Sequence, residues 1–275
     1  MIPISGMTAQ LGLQLVDATG SRQSELIRNS TQHARAITHF RDRIADVVTV
    51  DQLMADRDLY VFVMKAFDLE DQIFGKAMIE KILKSDINDP KSLVNRLTDP
   101  RFKEMHEVLG FTPGGGNNFN TLWGSWQEEM VDRYVQRQFI NAQAEQNEAV
   151  GAVLEFRRKA GGVTNAFDIL KDKELSAFMR TALGIPEETV QLDVDRQAEI
   201  LKAKFDLAKL KDPAEVEKLV RKYVAISDAT NTANLQQNAA VQLMNGAVSA
   251  GAGGQFVPVT IDITAISAAP RLPYR

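Results

Sequence analysis

Three histidines, His33, His39 and His106, are the first residues to test for chemistry, because the chain has no cysteine. Without cysteine there are no disulfides, thiolate metal sites or thiol nucleophiles. A helical zinc pair needs ligands about four residues apart, on one face. His33 and His39 do not meet that spacing, so all three histidines are read as polar residues of helix surfaces. Ser85 to Pro90, SDINDP, has the opening acids of a calcium loop without its turn glycine or distal glutamate. Gly114 to Asn118, GGGNN, lacks the following Gly-Lys-Ser/Thr of a phosphate cradle and is read as a flexible connection. Ser125 in WGSW has no strand-turn-helix context to make it a nucleophile. The Asn29-Ser30-Thr31 sequon matters only in a glycosylating compartment. No catalytic, cofactor-binding or metal-binding residue is assigned, and the expectation is a protein that is not an enzyme.

What remains is recognition. Trp123 and Trp126 stand at i and i+3 and are read as core anchors of a long helix, with partner binding as the alternative, since tryptophan is favoured in both roles. The alternating acids and bases Glu128, Glu129, Asp132, Arg133, Arg137, Glu145 and Glu148 read as a solvated helix face.

The elements that would carry these residues are helical, and one pattern occurs twice. Asp172 follows Asp56 by 116 residues, and the same shift pairs Phe40 with Phe156, Arg41 with Arg157, Val47 with Val163, Leu59 with Leu175, Phe62 with Phe178 and Ala66 with Ala182. Leu59, Phe62, Val63, Ala66 and Phe67 fall on one helical face, as do Leu175, Phe178, Met179, Ala182 and Leu183. Asp56 and Asp172 sit where an N-cap carboxylate accepts backbone N–H bonds, and Thr49 and Asn165 occupy matching cap positions. Asp89-Pro90 and Asp212-Pro213 each predict a helix start. Residues 21–44 should form one helix and residues 121–159 a longer one.

The expected fold is therefore all-α: a duplicated helical unit joined by a long central helix, with a partly extended C-terminal tail. Its parts are an N-terminal lead (1–20), a first repeat unit (21–111), a Gly-rich connection (112–120), the linking helix (121–159), a second repeat unit (160–226), and a C-terminal helix and extended tail (227–275). In that tail VPVTIDITAI alternates like a strand, and Thr230 to Asn245 reads as a terminal helix suited to polymerisation. A formal net charge of -4 offers no field for a phosphate backbone, so nucleic acid is not an expected partner. No apolar run spans a bilayer, and the first residues lack the basic start of a secretory signal. Synthesis in the cytoplasm is expected, with export by a route without a cleaved signal left open.

A resemblance sets a further expectation. The phrases ADRDLYVFVMKAFDLED, FGKAMIEKILKSDINDPKSLVNRLTDPRFKEMHEVLGF, YVQRQF, DVDRQAEILKAKF and DPAEVEKLVRKYV resemble the bacterial domain-of-unknown-function 1217 family, found chiefly in alphaproteobacteria, over about Ser21 to Val224. The resemblance implies a helical fold and, because genes of the family often lie among flagellar genes, a role in flagellar structure or assembly through a protein partner. A cytosolic chaperone or regulator of flagellar proteins is the alternative, and an uncharacterised enzyme the third reading.

Overall fold

The computed structural model describes residues 2–230, and residues 1–228 form one compact unit. Thirteen α-helices follow one another: α1 (Ala9–Asn29), α2 (Thr31–Arg43), α3 (Val50–Ala55), α4 (Arg57–Ala66), α5 (Lys76–Leu83), α6 (Leu93–Arg96), α7 (Pro100–Leu109), α8 (Gly124–Ala144), α9 (Glu148–Ala160), α10 (Ala166–Leu170), α11 (Lys173–Leu183), α12 (Val194–Lys204) and α13 (Pro213–Thr230). Among the described residues there is no strand, only an isolated bridge between Thr112 and Gly116. The protein is all-α.

The caps form as the residue types dictate. Asp56 accepts from the backbone N–H groups of Asp58 and Leu59, and Asp172 from those of Glu174 and Leu175. Thr49 and Asn165 each close a capping box, with Gln52 and Asp168 as the reciprocal partners. Behind these caps the apolar faces pack through aromatic stacks. Phe40 lies on Phe62 with centroids 4.3 Å apart, and Phe62 on Tyr134 at 4.3 Å. Phe156 lies on Phe178 at 3.9 Å, and Phe178 on Tyr223 at 4.3 Å. Beside the first stack Arg41 binds Glu128, 2.8 Å away, and beside the second Arg157 binds Glu217 at 2.7 Å. Each three-ring stack thus has a carboxylate-capped helix and an arginine–glutamate pair beside it.

Several expectations are corrected. Residues 21–44 are two helices, because Ser30 takes an extended conformation (φ -69°, ψ 145°) that closes α1 and opens α2. The first of these begins inside the N-terminal lead, which is integral to the core: Ile4 is fully buried, its N–H donates to the Gln146 side chain at 2.8 Å, and Asn147 donates to the Met7 carbonyl. The long linking helix is also two helices. α8 ends at Ala144, and Asn147 caps α9 by accepting from the Val150 N–H. The turn brings α9 so close to α8 that a Cβ on Gly151 would lie 2.6 Å from the Ala144 Cα. Gly151→Ala should therefore cost about 1–3 kcal/mol by overpacking, read as a lower urea midpoint with an unchanged slope.

Asp212-Pro213 does open a helix, whereas Asp89 caps only a turn through the Lys91 N–H, and the next helix waits until Leu93. The Gly-rich connection is fixed in place. The Gly115 carbonyl accepts from the Val50 N–H at 2.8 Å, Gly114 N–H donates to Lys84 at 3.0 Å, and Asn118 is buried, donating to the Leu109 carbonyl. Gly115 adopts φ +85°, and a Cβ there would lie 2.6 Å from the Lys84 side chain and 3.1 Å from that of Val50. The strand-like VPVTIDITAI and the helix assigned to Thr230–Asn245 beyond its first residue lie outside the described residues.

Candidate functional site

Residues 118–123 reverse the ordinary distribution of polarity. Asn118 and Thr121 are buried, while Phe119, Leu122 and Trp123 are 61%, 58% and 66% exposed. The reason is local hydrogen bonding. The Asn118 side chain donates to the Leu109 carbonyl at 2.7 Å, and the Thr121 hydroxyl donates to the Val47 carbonyl at 2.9 Å, so carbonyls left open at the end of α7 and in the α2–α3 connection draw the polar side chains inward. The apolar side chains next to them, Phe119, Leu122 and Trp123, are turned out.

The two tryptophans consequently part company. Trp123 precedes α8 in an extended conformation (φ -88°, ψ 116°) and is not a core anchor. Trp126, on the first turn of α8, is half-buried: its Nε1 donates to the Val108 carbonyl at 3.0 Å and its ring sits 6.4 Å from that of Phe40. Ser125 between them is exposed.

A second feature is a charged seam where α7 and the end of α4 face α9 and α11. Arg137 and Glu155 pair directly, each 5% exposed, and Arg137 also reaches Asp68 at 3.2 Å. Glu155 accepts from Arg158 at 2.8 Å and lies 2.7 Å from the Lys159 ammonium, which is 2.6 Å from Asp172. Arg101 grips Asp99 at 2.7 Å and donates to the Asp68 carbonyl. These contacts hold Asp68 at φ +60°, a left-handed conformation that costs an ordinary residue about 1–2 kcal/mol. Asp68, Asp99, Arg101, Lys159, Asp172 and Glu174 line a cleft of about 340 Å³ there. Lys171 and Lys173 also line it, so four bases face four acids.

The electrostatics follow from burial opposed by pairing. Burial pushes the Glu155 carboxyl up, but the Arg158 hydrogen bond and the charges of Arg137, Lys159 and Arg158 outweigh it and hold the group at about 2. Burial likewise opposes the charge on Lys159, yet Glu155 and Asp172 raise its value above the ordinary one. Asp99 is held below the carboxylate range by Arg101 despite its burial. Sequence reading placed Arg137 on a solvated face and missed this seam.

The histidines are each engaged by protein groups. His33 Nδ1 lies 2.9 Å from the Tyr134 hydroxyl, and burial followed by the Lys65 charge lowers its pKa. His39 sits 3.1 Å from the Asp56 carboxylate. His106 is buried rather than on a surface, with Nε2 3.0 Å from the Ser85 carbonyl. Among the described residues no helix is long and apolar enough to cross a membrane.

Fold and site together define an all-helical protein with an exposed apolar ridge and an internally neutralised charged seam. The chain belongs to the family described as Protein of unknown function (DUF1217), whose model matches residues 66–216. That match is narrower than the stretch that carries the resemblance in the sequence, and it contains both the ridge and the seam. The chain is similar to a protein of Agrobacterium tumefaciens whose crystal structure was solved as a structural-genomics target, with a TM-score of 0.72 and 26% identity over 84% of this chain and 98% of that one. No curated protein matches the chain.

Proposed function

We propose that this is a non-enzymatic binding protein, made of two copies of one four-helix element, that serves flagellar structure or assembly by docking another protein on the Phe119–Leu122–Trp123 ridge. The observation that carries the reading is the inverted segment: buried Asn118 and Thr121 hold three large apolar side chains in water. Exposing them costs solvation free energy that a fold gains nothing from, whereas a rigid aromatic anchor is what a binding hot spot uses. The occupant is an apolar groove of a partner protein, of the kind that receives projecting aromatic side chains, and the flagellar setting is supported by the family resemblance.

The combined replacement Phe119→Ser and Trp123→Ala separates binding from folding. Because both side chains are mostly exposed, stability should change by no more than about 0.5 kcal/mol. Motility in a flagellated host should fall to the level of a deletion strain. Full motility with the doubly substituted protein, or normal flagella after deletion of the gene, would remove the proposal. Fractionation of the same cells distinguishes the two settings: recovery with basal bodies or sheared filaments supports a structural part, and recovery in the cytosol supports a chaperone or regulator.

A further inference from the structure

Beside the charged seam, the end of α4 with α7, α8 and α9 lines a half-open cavity of about 280 Å³ whose walls carry three guanidinium groups, Arg133, Arg137 and Arg158, and one carboxylate, Glu104. Its size lies just below the range of about 300–1,000 Å³ typical of sites for drug-sized molecules, so a smaller ligand is indicated. The arginines are held in position before any ligand arrives. Arg133 lies over the Phe67 ring, 4.7 Å from its centroid, and Arg137 and Arg158 are fixed from behind by Glu155. Planar, pre-oriented guanidiniums are suited to the paired oxygens of a carboxylate or phosphate.

Two of these arginines are incompletely used. The Arg133 Nε is buried without a hydrogen-bond partner, and Arg158 Nη1 approaches Glu104 only to 3.7 Å, beyond hydrogen-bond range. Glu104 is also the carboxylate with the easiest way out. Its side chain is 39% exposed, against 5% for Glu155, so it can turn into water while Glu155 cannot. With Glu104 turned away, Arg133, Arg137 and Arg158 face only Glu155 and Asp68, and the cavity carries an excess positive charge.

We infer that this cavity is a binding site for a small oxyanion, a phosphate, sulfate or carboxylate group, and that Glu104 is an internal stand-in which the ligand displaces. The two carboxylates of the seam therefore differ in purpose. Glu155 is a permanent partner that shapes the arginines, and Glu104 is an exchangeable one that occupies the site at rest.

Isothermal titration of the full chain with inorganic phosphate, sulfate and malonate, at ionic strength held constant with chloride, tests this. The wild type should show one saturable site. Glu104→Gln should bind about tenfold more tightly, because a like charge a few ångströms from the ligand is removed. Arg133→Gln and Arg133→Lys should each bind about tenfold more weakly, the lysine lacking the planar fork. Arg196→Gln, on an exposed pair of α12, should bind as the wild type does. The Arg133→Lys variant keeps the charge and guards against misreading a loss of folding, which circular dichroism of each variant also checks. Tighter binding of phosphate and sulfate than malonate identifies a phosphoryl-type ligand, and the reverse order a carboxylate metabolite. No saturable binding of any of the three anions to wild type and Glu104→Gln overturns the inference, as does binding that is indifferent to Arg133 or weakened by Glu104→Gln.

Discussion

Glu155→Ala should lower stability at neutral pH by about 3–5 kcal/mol, the usual cost of leaving buried cations without their carboxylate. Glu155 and Arg137 are both 5% exposed, and Arg158 and Lys159 share the same carboxylate, so its removal takes the common partner from three cations, leaving Arg137 only Asp68 and Lys159 the acids of α11's start. The sign of the pH dependence follows from the same group. Its value is depressed on folding from 4.5 to about 2, so its contribution is complete above the unfolded value, shrinks as pH falls below 4.5 and vanishes below about 2. The difference is worth about 3 kcal/mol. Urea melts should show the wild type losing stability through that window, and Glu155→Gln losing distinctly less. A variant as stable as the wild type at pH 7 would mean that the seam is not a single coupled network.

Phe62→Ala and Phe178→Ala should each cost about 3–5 kcal/mol, the range for deleting a buried aromatic side chain. Both rings are the middle member of a three-ring stack and are 2% and 1% exposed. The interest lies in the comparison. If the two stacks are the same structural element used twice within one compact unit, the two losses should agree within about 1 kcal/mol and each variant should still unfold in one transition. A large loss at Phe178 with little at Phe62, or two separate transitions in either variant, would mean that the halves are energetically unlike.

What could be read in the sequence is what is decided locally. Asp56, Asp172, Thr49 and Asn165 cap helices because a short polar side chain before an apolar run meets open N–H groups within three residues of itself. The positions of Phe62 and Phe178 were legible for the same reason, since helical spacing alone puts them on the apolar face. The helix break after Ala144 was hidden in NAQAEQN, which holds neither Gly nor Pro; Asn147 was its only signal. Tyr134 and Tyr223 were missed as stack members because the shift that pairs Phe40 with Phe156 and Phe62 with Phe178 does not pair the tyrosines.

The seam was hidden for a different reason. Its partners, Arg137 with Asp68, Lys159 with Asp172 and Arg158 with Glu104, come from separate helices, and only tertiary packing decides which charges on a mixed face are buried. The ridge was hidden because Trp123 and Trp126 have helical spacing while the helix begins only between them. A residue before the first turn does not share the face that its spacing suggests.

The central claim is that the ridge at Phe119, Leu122 and Trp123 is a docking surface for a flagellar protein. The most direct measurement replaces Trp123 with a photo-crosslinking amino acid in motile cells and identifies the adduct by mass spectrometry, with Leu11, 53% exposed and far along the chain, as the control position. One dominant adduct with a flagellar component is expected from position 123, absent from position 11 and lost when Phe119 is also changed to Ser. No adduct at 123, or the same products from both positions, would contradict it.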